Sequence, residues 1–248
     1  MADYSRSAED WQQPPMNPPL SPLVLLPGLL CDATLWRAQV EGLADIASVF
    51  VPDLTLDTEV AAMAARVLAV APERFALGAL SMGGYVAFEI MRQAPQRVTR
   101  LALFSTSASP DTAEQAEERR QGIASLGHGR FVGVGRHLLP QLIHPSRLAE
   151  PVAQTVRAMA ERVGGPAFLR QQQAILARPD SRPGLAGIAV PTLVGVGDSD
   201  ELTPPAEARI IHEGIAGSTL HVFGTCGHLP ALERPDETTG LLRSWLGG

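Results

Sequence analysis

Short apolar runs alternate with longer amphipathic segments in the first part of the chain. Apolar runs that are short enough to be strands occupy residues 23–26, 48–51, 75–80 and 99–105. Segments with the helical spacing of apolar positions occupy residues 34–43, 58–70 and 82–93. Runs of about four to eight apolar residues separated by helix-length segments are typical of βαβ units around a buried parallel sheet. The pattern therefore predicts that residues 22–110 form the first part of an α/β core.

The middle of the chain has a different pattern, with helical spacing and no convincing strand. The predicted helices are residues 111–126, 130–142, 146–163 and 166–177. Glycine and proline residues separate these segments, as is common where helices end. We therefore expect residues 111–182 to form a helical cap that is inserted into the core.

Strand and helix patterns resume after this insertion. The predicted strands are residues 191–196 and 219–223, and the predicted helices are residues 205–213 and 235–246. Together the two parts of the core, residues 22–110 and 183–248, should form a mostly parallel α/β sheet of about six strands flanked by helices. Residues 1–21 are polar and rich in proline, so we expect them to be a flexible arm.

The chain of 248 residues contains no lysine, so all 20 of its cationic side chains are arginines. This excludes a Schiff-base lysine, a pyridoxal-phosphate anchor and a P-loop lysine, and we predict no cofactor and no metal. A net charge of −6 and a pI near 5.5 give no cationic surface for phosphates, so nucleic acid is not an expected partner. Two cysteines are too few for a disulfide framework, and no apolar stretch has the length of a membrane span or signal peptide. We therefore expect a cytoplasmic protein with no membrane partner.

Ser81 lies where the predicted strand 75–80 meets the predicted helix 82–93. The residues two positions away on either side, Ala79 and Gly83, are small. A nucleophile elbow has this form, because the strand and helix backbones nearly touch beside a serine in a strained turn. The usual pattern has glycine at the position of Ala79. A serine at a strand-to-helix junction can also be an ordinary helix N-cap, so both interpretations stay open on this motif alone.

A histidine and a group of acids follow later strands, in loops that could reach Ser81. His228 lies in a glycine-rich loop between the last predicted strand and the last predicted helix, whereas the other five histidines lie in helices, linkers or a strand. Three acids, Asp198, Asp200 and Glu201, follow the first predicted strand after the insertion. Such acids can also solvate a turn or cap a helix. A serine, a histidine base and an orienting acid are the parts of a nucleophilic catalyst.

With the order Ser81, Asp200 and His228, the chain resembles the α/β-hydrolase superfamily over roughly residues 22–246. The ending around His228 is similar to that of carboxylesterases, 3-oxoadipate enol-lactonases and pimeloyl-ACP methyl ester esterases. The resemblance implies the α/β-hydrolase fold with a helical cap. It also implies that the catalytic acid is the last residue of a Gly-x-x-Asp turn, here Asp200, with Asp198 as the alternative.

The resemblance further implies an oxyanion hole made by backbone N–H groups. Residues 26–32 resemble the family's oxyanion loop, which usually reads His-Gly-x and here reads Pro-Gly-Leu, so the donors would be the amides of Leu29 and Met82. Two features depart from many relatives. Only a short arm precedes the first core strand, where many relatives have a β-hairpin, and residues 53–58 lack the Asp-x-x-Gly-x-Gly-x-Ser turn. The subgroup is therefore not fixed by the sequence.

The activity that the resemblance implies is hydrolysis of carboxylic esters by a serine hydrolase without a cofactor. Ser81 would attack the ester carbonyl, His228 would act first as base and then as acid, and water would release the acyl group. The partners would be a small or medium apolar ester and water. Apolar residues of the cap, such as Phe131, Leu138, Leu139 and Phe168, should help to choose the substrate, and some of them should belong to the core of the cap instead. The alternatives are an enol-lactonase, a carbon–carbon bond hydrolase, a cofactor-free haloperoxidase, or a non-catalytic ligand-binding protein of the same fold.

Overall fold

Six parallel strands form one sheet in the computed structural model, which describes residues 20–128, 131 and 133–247. The strands are β1 (Ser21–Leu26), β2 (Ala47–Phe50), β3 (Phe75–Leu80), β4 (Val98–Phe104), β5 (Thr192–Gly197) and β6 (Thr219–Phe223). Their order across the sheet is β2-β1-β3-β4-β5-β6, and every neighbouring pair is parallel. The prediction of an α/β fold with a mostly parallel sheet of about six strands is confirmed.

The sheet begins slightly earlier than the sequence pattern predicts. Ser21 is the first residue of β1 and pairs with Ala47 of β2, although the pattern assigns residues 1–21 to a flexible arm. The larger part of that predicted arm, residues 1–19, lies outside the described residues. Ser21 therefore belongs to the sheet.

Helices connect the strands and cover the sheet. The α-helices of the described residues are α1 (Arg37–Gly42), α2 (Val60–Val70), α3 (Met82–Gln93), α4 (Ala113–His128), α5 (Leu139–Leu142), α6 (Pro151–Leu176), α7 (Pro205–Gly214), α8 (Pro230–Glu233) and α9 (Pro235–Gly247). Short 3-10 helices occupy Ala33–Trp36, Pro95–Arg97, Pro145–Arg147 and Arg182–Gly187. Several helices begin with proline, whose fixed φ suits the first helical turn. Within the part of the chain that the structure describes, no helix is long and apolar enough to cross a membrane.

The core has two halves, one on each face of the sheet. Along β1, Val24 and Leu26 belong to one apolar cluster, and Leu23 and Leu25 belong to the other. Successive side chains of a strand point to opposite faces, so a strand that is covered on both sides must be apolar throughout. Helices α2, α3 and α7 supply side chains to the first cluster, while α9 and part of α6 supply side chains to the second.

The region between β4 and β5 contains α4, α5 and α6, and no strand among its described residues. The predicted helix over residues 130–142 is wrong, because only Leu139–Leu142 is helical in the described part of that segment. Gly133 has a φ of 66°, a left-handed conformation that a right-handed helix cannot contain. The described residues of this stretch that precede Leu139 are therefore not helical.

The last two predicted helices of the insertion, residues 146–163 and 166–177, form the single kinked helix α6. The kink lies at Gly164, which has a φ of 74° and a ψ of 170°, and Pro166 follows it. Proline has no N–H to donate, so it suits the beginning of the second helical part. The assignment of residues 111–182 to a cap domain stays a prediction.

Candidate active site

Ser81 occupies a strained turn between β3 and α3. Its φ of 53° and ψ of −118° lie outside the regions that residues with a side chain usually adopt. Such a conformation costs about 1–3 kcal/mol and persists only where the surroundings hold it. Here the Ser81 N–H donates to the carbonyl of Phe104 at 3.0 Å, and the hydroxyl of Thr106 donates to the Ser81 carbonyl at 2.8 Å. The end of β4 therefore fixes the turn that presents Ser81.

Small residues around the turn let the strand and helix approach each other. A Cβ on Gly83 would lie 2.6 Å from the carbonyl oxygen of Leu26, and a Cβ on Gly84 would collide with the Thr106 side chain. Ala79 is fully buried in β3, where its methyl group takes the place of the usual glycine. The sequence Ala79-Leu-Ser-Met-Gly-Gly84 thus folds into the geometry of a nucleophile elbow.

His228 joins Ser81 to Asp200 through a chain of hydrogen bonds. The His228 Nε2 atom lies 2.8 Å from the Ser81 hydroxyl, and its Nδ1 atom lies 2.9 Å from each carboxylate oxygen of Asp200. His228 and Asp200 are both only 3% exposed, so water competes little for these bonds. The structure therefore brings together the three side chains that were predicted as catalytic, although their roles stay predictions.

Asp200 is held as a carboxylate by its neighbours. Burial acts to raise the pKa of Asp200, but the charge and hydrogen bonds of His228 and the donors of Thr203 outweigh burial, so the pKa lies below its usual range. Those donors are the backbone amide of Thr203 at 2.9 Å and its hydroxyl at 3.0 Å, and the amide of Leu202 also donates at 3.0 Å. An ionised Asp200 can accept a hydrogen bond from the protonated Nδ1 of His228 and so fix the tautomer of the imidazole.

Asp198, the alternative candidate for the catalytic acid, contacts backbone amides and not the imidazole of His228. Its carboxylate accepts the backbone amides of Thr225 at 2.8 Å and Cys226 at 3.1 Å, and it makes no hydrogen bond to His228. Burial acts to raise the pKa of Asp198, but the two amide donors outweigh it and the pKa is lowered. Asp198 therefore anchors the loop of residues 224–229, the histidine loop, while Asp200 contacts the imidazole itself.

Glu233 is a buried acid that the sequence analysis did not single out. Its side chain is fully buried and accepts the backbone amides of Gly227 at 3.0 Å, Leu229 at 3.2 Å and His144 at 2.7 Å. Gly227 and Leu229 flank His228 directly in sequence, so Glu233 holds the backbone of the histidine loop on both sides of His228. The signal that could have revealed it is a lone acid inside the apolar stretch Leu-Pro-Ala-Leu-Glu, residues 229–233.

The predicted oxyanion donors lie beside the serine. Met82 is the first residue of α3, so its N–H has no acceptor within the helix. Gly28 packs against the elbow, because a Cβ on it would lie 3.3 Å from the Cβ of Ser81. Leu29 follows Gly28 in the loop of residues 27–32, the oxyanion loop. The position of both amides fits an oxyanion hole, and this role stays a prediction.

Ser81 and His228 open into a cavity of about 980 Å³. This volume lies at the upper end of the range that holds small-molecule ligands. Apolar side chains from the region between β4 and β5 form part of its wall: Val134, Leu138, Leu142, Val156, Met159, Phe168 and Ile175. Of the residues predicted to help choose the substrate, Leu138 and Phe168 line this cavity. Phe131 packs instead against Phe168, with ring centroids 5.7 Å apart, and Leu139 is buried in the core.

Another part of the wall is polar, which the sequence did not indicate. The Asp111 carboxylate pairs with Arg119 and Arg178, both at 2.8 Å, and Arg119 also contacts the side-chain oxygen of Gln172. The guanidinium of Arg178 lies over the ring of Tyr85, 4.3 Å from its centroid. Asp111 also follows a strand of the sheet, β4, but its carboxylate is engaged by these two arginines. The cavity is therefore amphipathic.

Several known proteins are similar to this chain in sequence or in fold. The alpha/beta hydrolase family matches residues 23–240. A pimeloyl-(acyl-carrier protein) methyl ester esterase of Aliivibrio salmonicida is 30% identical over 235 residues, covering 88% of each chain. One from Neisseria meningitidis serogroup C is 29% identical over 177 residues, 68% of each chain. The solved structure of a thermophilic esterase from Thermogutta terrifontis is 33% identical, with a TM-score of 0.82, and the match covers 91% of this chain and 89% of that one.

Proposed function

The chain belongs to the α/β-hydrolase family and is an ester-hydrolysing enzyme, and we propose that it cleaves carboxylic esters of small or medium apolar groups through an acyl-enzyme on Ser81. The observation that carries this proposal is the unbroken hydrogen-bond chain from Ser81 through His228 to Asp200, at the base of the cavity. No cofactor is needed for this chemistry.

The first half of the reaction follows from the hydrogen bonds. As the Ser81 oxygen attacks the ester carbonyl, its proton passes to the Nε2 atom of His228, 2.8 Å away. The Nδ1–H of the imidazolium donates to Asp200, whose lowered pKa keeps it ionised and able to stabilise the positive ring. His228 then returns the proton to the leaving alcohol, and the acyl group stays on Ser81.

Negative charge that develops on the carbonyl oxygen needs donors that are already in place. The amides of Leu29 and Met82 are the proposed donors, since both belong to backbone that borders Ser81. The loss of one such donor typically costs about 10²–10³ in kcat. In the second half of the reaction a water molecule gives a proton to His228 as it attacks the acyl carbonyl. The bond to Ser81 then breaks, His228 returns the proton to the Ser81 oxygen, and the carboxylic acid leaves.

The apolar wall of the cavity supports a substrate with an apolar portion. Leu138, Phe168 and Ile175 would bury an acyl chain or an apolar alcohol group, which gains about 0.8 kcal/mol for each buried CH₂ group. The names of the relatives support ester cleavage, because the two relatives from Aliivibrio and Neisseria are named methyl ester esterases. A polar group on the substrate would meet the other wall, near Arg119.

The test is hydrolysis of p-nitrophenyl esters of increasing chain length, combined with labelling by a fluorophosphonate probe. Ser81→Ala should lower kcat roughly 10⁵-fold or more and abolish labelling, because the nucleophile is lost while only one oxygen atom is removed from the turn. Ser244→Ala, an exposed serine of α9, is the matched control and should behave like the wild type. A Ser81→Ala variant that keeps more than about a tenth of the turnover would overturn the proposal.

A further inference from the structure

Gln171 links α6 to the oxyanion loop from a fully buried position. Its side-chain oxygen accepts the backbone amide of Leu30 at 3.2 Å, and its side-chain nitrogen donates to the carbonyl of Leu54 at 3.2 Å. A backbone N–H can only donate and a carbonyl can only accept, so the two partners fix the orientation of the amide. Both ends of this side chain are therefore used, and neither contact is with a residue of the hydrogen-bond chain at Ser81.

The backbone that Gln171 contacts is unusual. Leu30 has a φ of 59°, a left-handed conformation that is unfavourable for a residue with a branched side chain. A hydrogen bond from Cys31 N–H to the Gly28 carbonyl, at 3.2 Å, closes a tight turn around Leu29 and Leu30. A strained turn persists only when its surroundings hold it, and Gln171 supplies the side-chain contact to the Leu30 amide.

The Leu30 amide belongs to the peptide group that immediately follows Leu29. Holding that peptide plane limits the rotation of Leu29, and so limits the direction in which the neighbouring Leu29 N–H can point. We propose that Gln171 is a positioning residue, which holds the Leu29 amide in place as an oxyanion donor through its bond to Leu30. This inference rests on the proposed function, because it assumes that Leu29 stabilises a developing oxyanion.

The same helix also forms part of the cavity wall. Phe168, Gln172 and Ile175 line the cavity from the helical turns on either side of Gln171. A second contact joins α6 to the loop near its end, where Arg162 pairs with Asp32 at 2.7 Å on the protein surface. The alignment of the oxyanion loop therefore depends on α6. A substrate in the cavity would contact this same helix.

The first test compares Gln171→Leu with Gln173→Leu. Gln173 is exposed on the same helix, so its variant makes the same chemical change without touching the loop. For p-nitrophenyl esters, Gln171→Leu should lower kcat roughly 10- to 100-fold with KM within about threefold, since a misplaced donor acts on the transition state. Gln173→Leu should match the wild type. An unchanged kcat for Gln171→Leu, or a loss that appears only in KM, would overturn the positioning role.

A second variant, Gln171→Glu, tests the positioning role through the pH dependence of kcat, with circular dichroism used to compare only pH values at which the variant is folded. When protonated, the new carboxyl can accept from Leu30 and donate through its O–H to Leu54, as the amide does. When ionised, it loses the donor and places a negative charge against the Leu54 carbonyl. Burial raises the pKa of such a group, so the ratio of variant to wild-type kcat should be near one at acid pH and fall at least about tenfold as the pH rises.

The outcomes separate the two proposals. If Ser81→Ala stays active, the proposed function fails, whatever Gln171 does. If Ser81→Ala is inactive and the kcat ratio of Gln171→Glu does not change with pH, only the positioning role fails. Should Gln171→Leu not fold, the Gln171→Glu profile still decides, because the protonated carboxyl reproduces both native hydrogen bonds.

Discussion

The two loops that flank Ser81 are held in different ways. The histidine loop is fixed by two carboxylates, Asp198 at the end of β5 and Glu233 in α8, which accept its backbone amides. The oxyanion loop is fixed by a neutral side chain, Gln171, and by an exposed ion pair from Arg162, both on α6. Hydrogen bonds to a charged acceptor are stronger than those between neutral groups. The alignment of the proposed base, His228, and the alignment of the proposed oxyanion donors should therefore be separable by mutation.

The positions of the anchors along the chain differ as well. Asp198 and Glu233 lie closer in sequence to the histidine loop, in the part of the chain that follows β5. Gln171 is 141 residues away from Leu30. The histidine loop also meets the region between β4 and β5, since the His228 amide donates to the Leu142 carbonyl at 3.1 Å. This region thus contacts both loops, but only the oxyanion loop has its buried side-chain anchor, Gln171, in it.

The largest effect that tests this comparison should come from Asp200. Asp200→Asn should lower kcat roughly 10³- to 10⁴-fold, because an amide can present an N–H to His228 and stabilise the wrong tautomer. Asp198→Asn should cost about tenfold or less, since its amide oxygen can still accept one of the two loop amides. Steady-state kinetics with a p-nitrophenyl ester and the circular dichroism of both variants measure this. A larger loss for Asp198→Asn would transfer the orienting role to Asp198.

Sequence reasoning reached these two aspartates but could not choose between them on residues alone. Both follow the same strand, and only the turn spacing of the resembled family favours Asp200. The fold separates them, because the turn after β5 directs Asp200 toward the imidazole and Asp198 toward the amides of Thr225 and Cys226. The parallel sheet, the position of Ser81 and the late histidine follow from local patterns, and these could be predicted.

Other features depend on contacts between distant segments, which no local pattern encodes. Gln171 is the first of three consecutive glutamines, and nothing in that run distinguishes buried Gln171 from exposed Gln173. The prediction of a helix over residues 130–142 is wrong because it follows the helical spacing of the apolar residues and not the two glycines, Gly133 and Gly135, that interrupt this segment. The polar wall around Asp111 likewise arises only when α4 and α6 meet.

The next effect in size should come from Glu233. Glu233→Gln replaces one acceptor oxygen by an NH₂ group that faces backbone donors, so at least one of the three amide bonds is lost. We expect a loss of about 1.5–3 kcal/mol in the free energy of unfolding and roughly a tenfold fall in kcat. Glu237→Gln is the control, because Glu237 is partly exposed and pairs at the surface with Arg234, where ion pairs contribute little. Equal melting temperatures for the two variants would show that Glu233 is not an anchor of the histidine loop.

The smallest effect on activity should come from the two cysteines, one on each loop. Cys31 lines the cavity, and its thiol lies 3.5 Å from the Leu29 carbonyl, while Cys226 is fully buried beside Glu233. Burial raises the pKa of Cys31 to about 12 and also raises the pKa of Cys226, so neither is a thiolate at neutral pH. Replacing both by alanine should leave kcat within about threefold of the wild type, because each is a small buried side chain. A loss as large as that of Asp200→Asn, with the fold intact, would place a thiol in the reaction.

The same cysteines can report on each loop separately, because a buried thiol reacts only when its surroundings open. In single-cysteine variants, iodoacetamide labelling of Cys31 should speed up roughly tenfold when Gln171→Leu is added, and labelling of Cys226 should not change. Glu233→Gln should have the reverse effect. If either substitution raised the labelling rates of both thiols equally, the two loops would open as one unit. The proposal that the two loops are aligned independently would then be wrong.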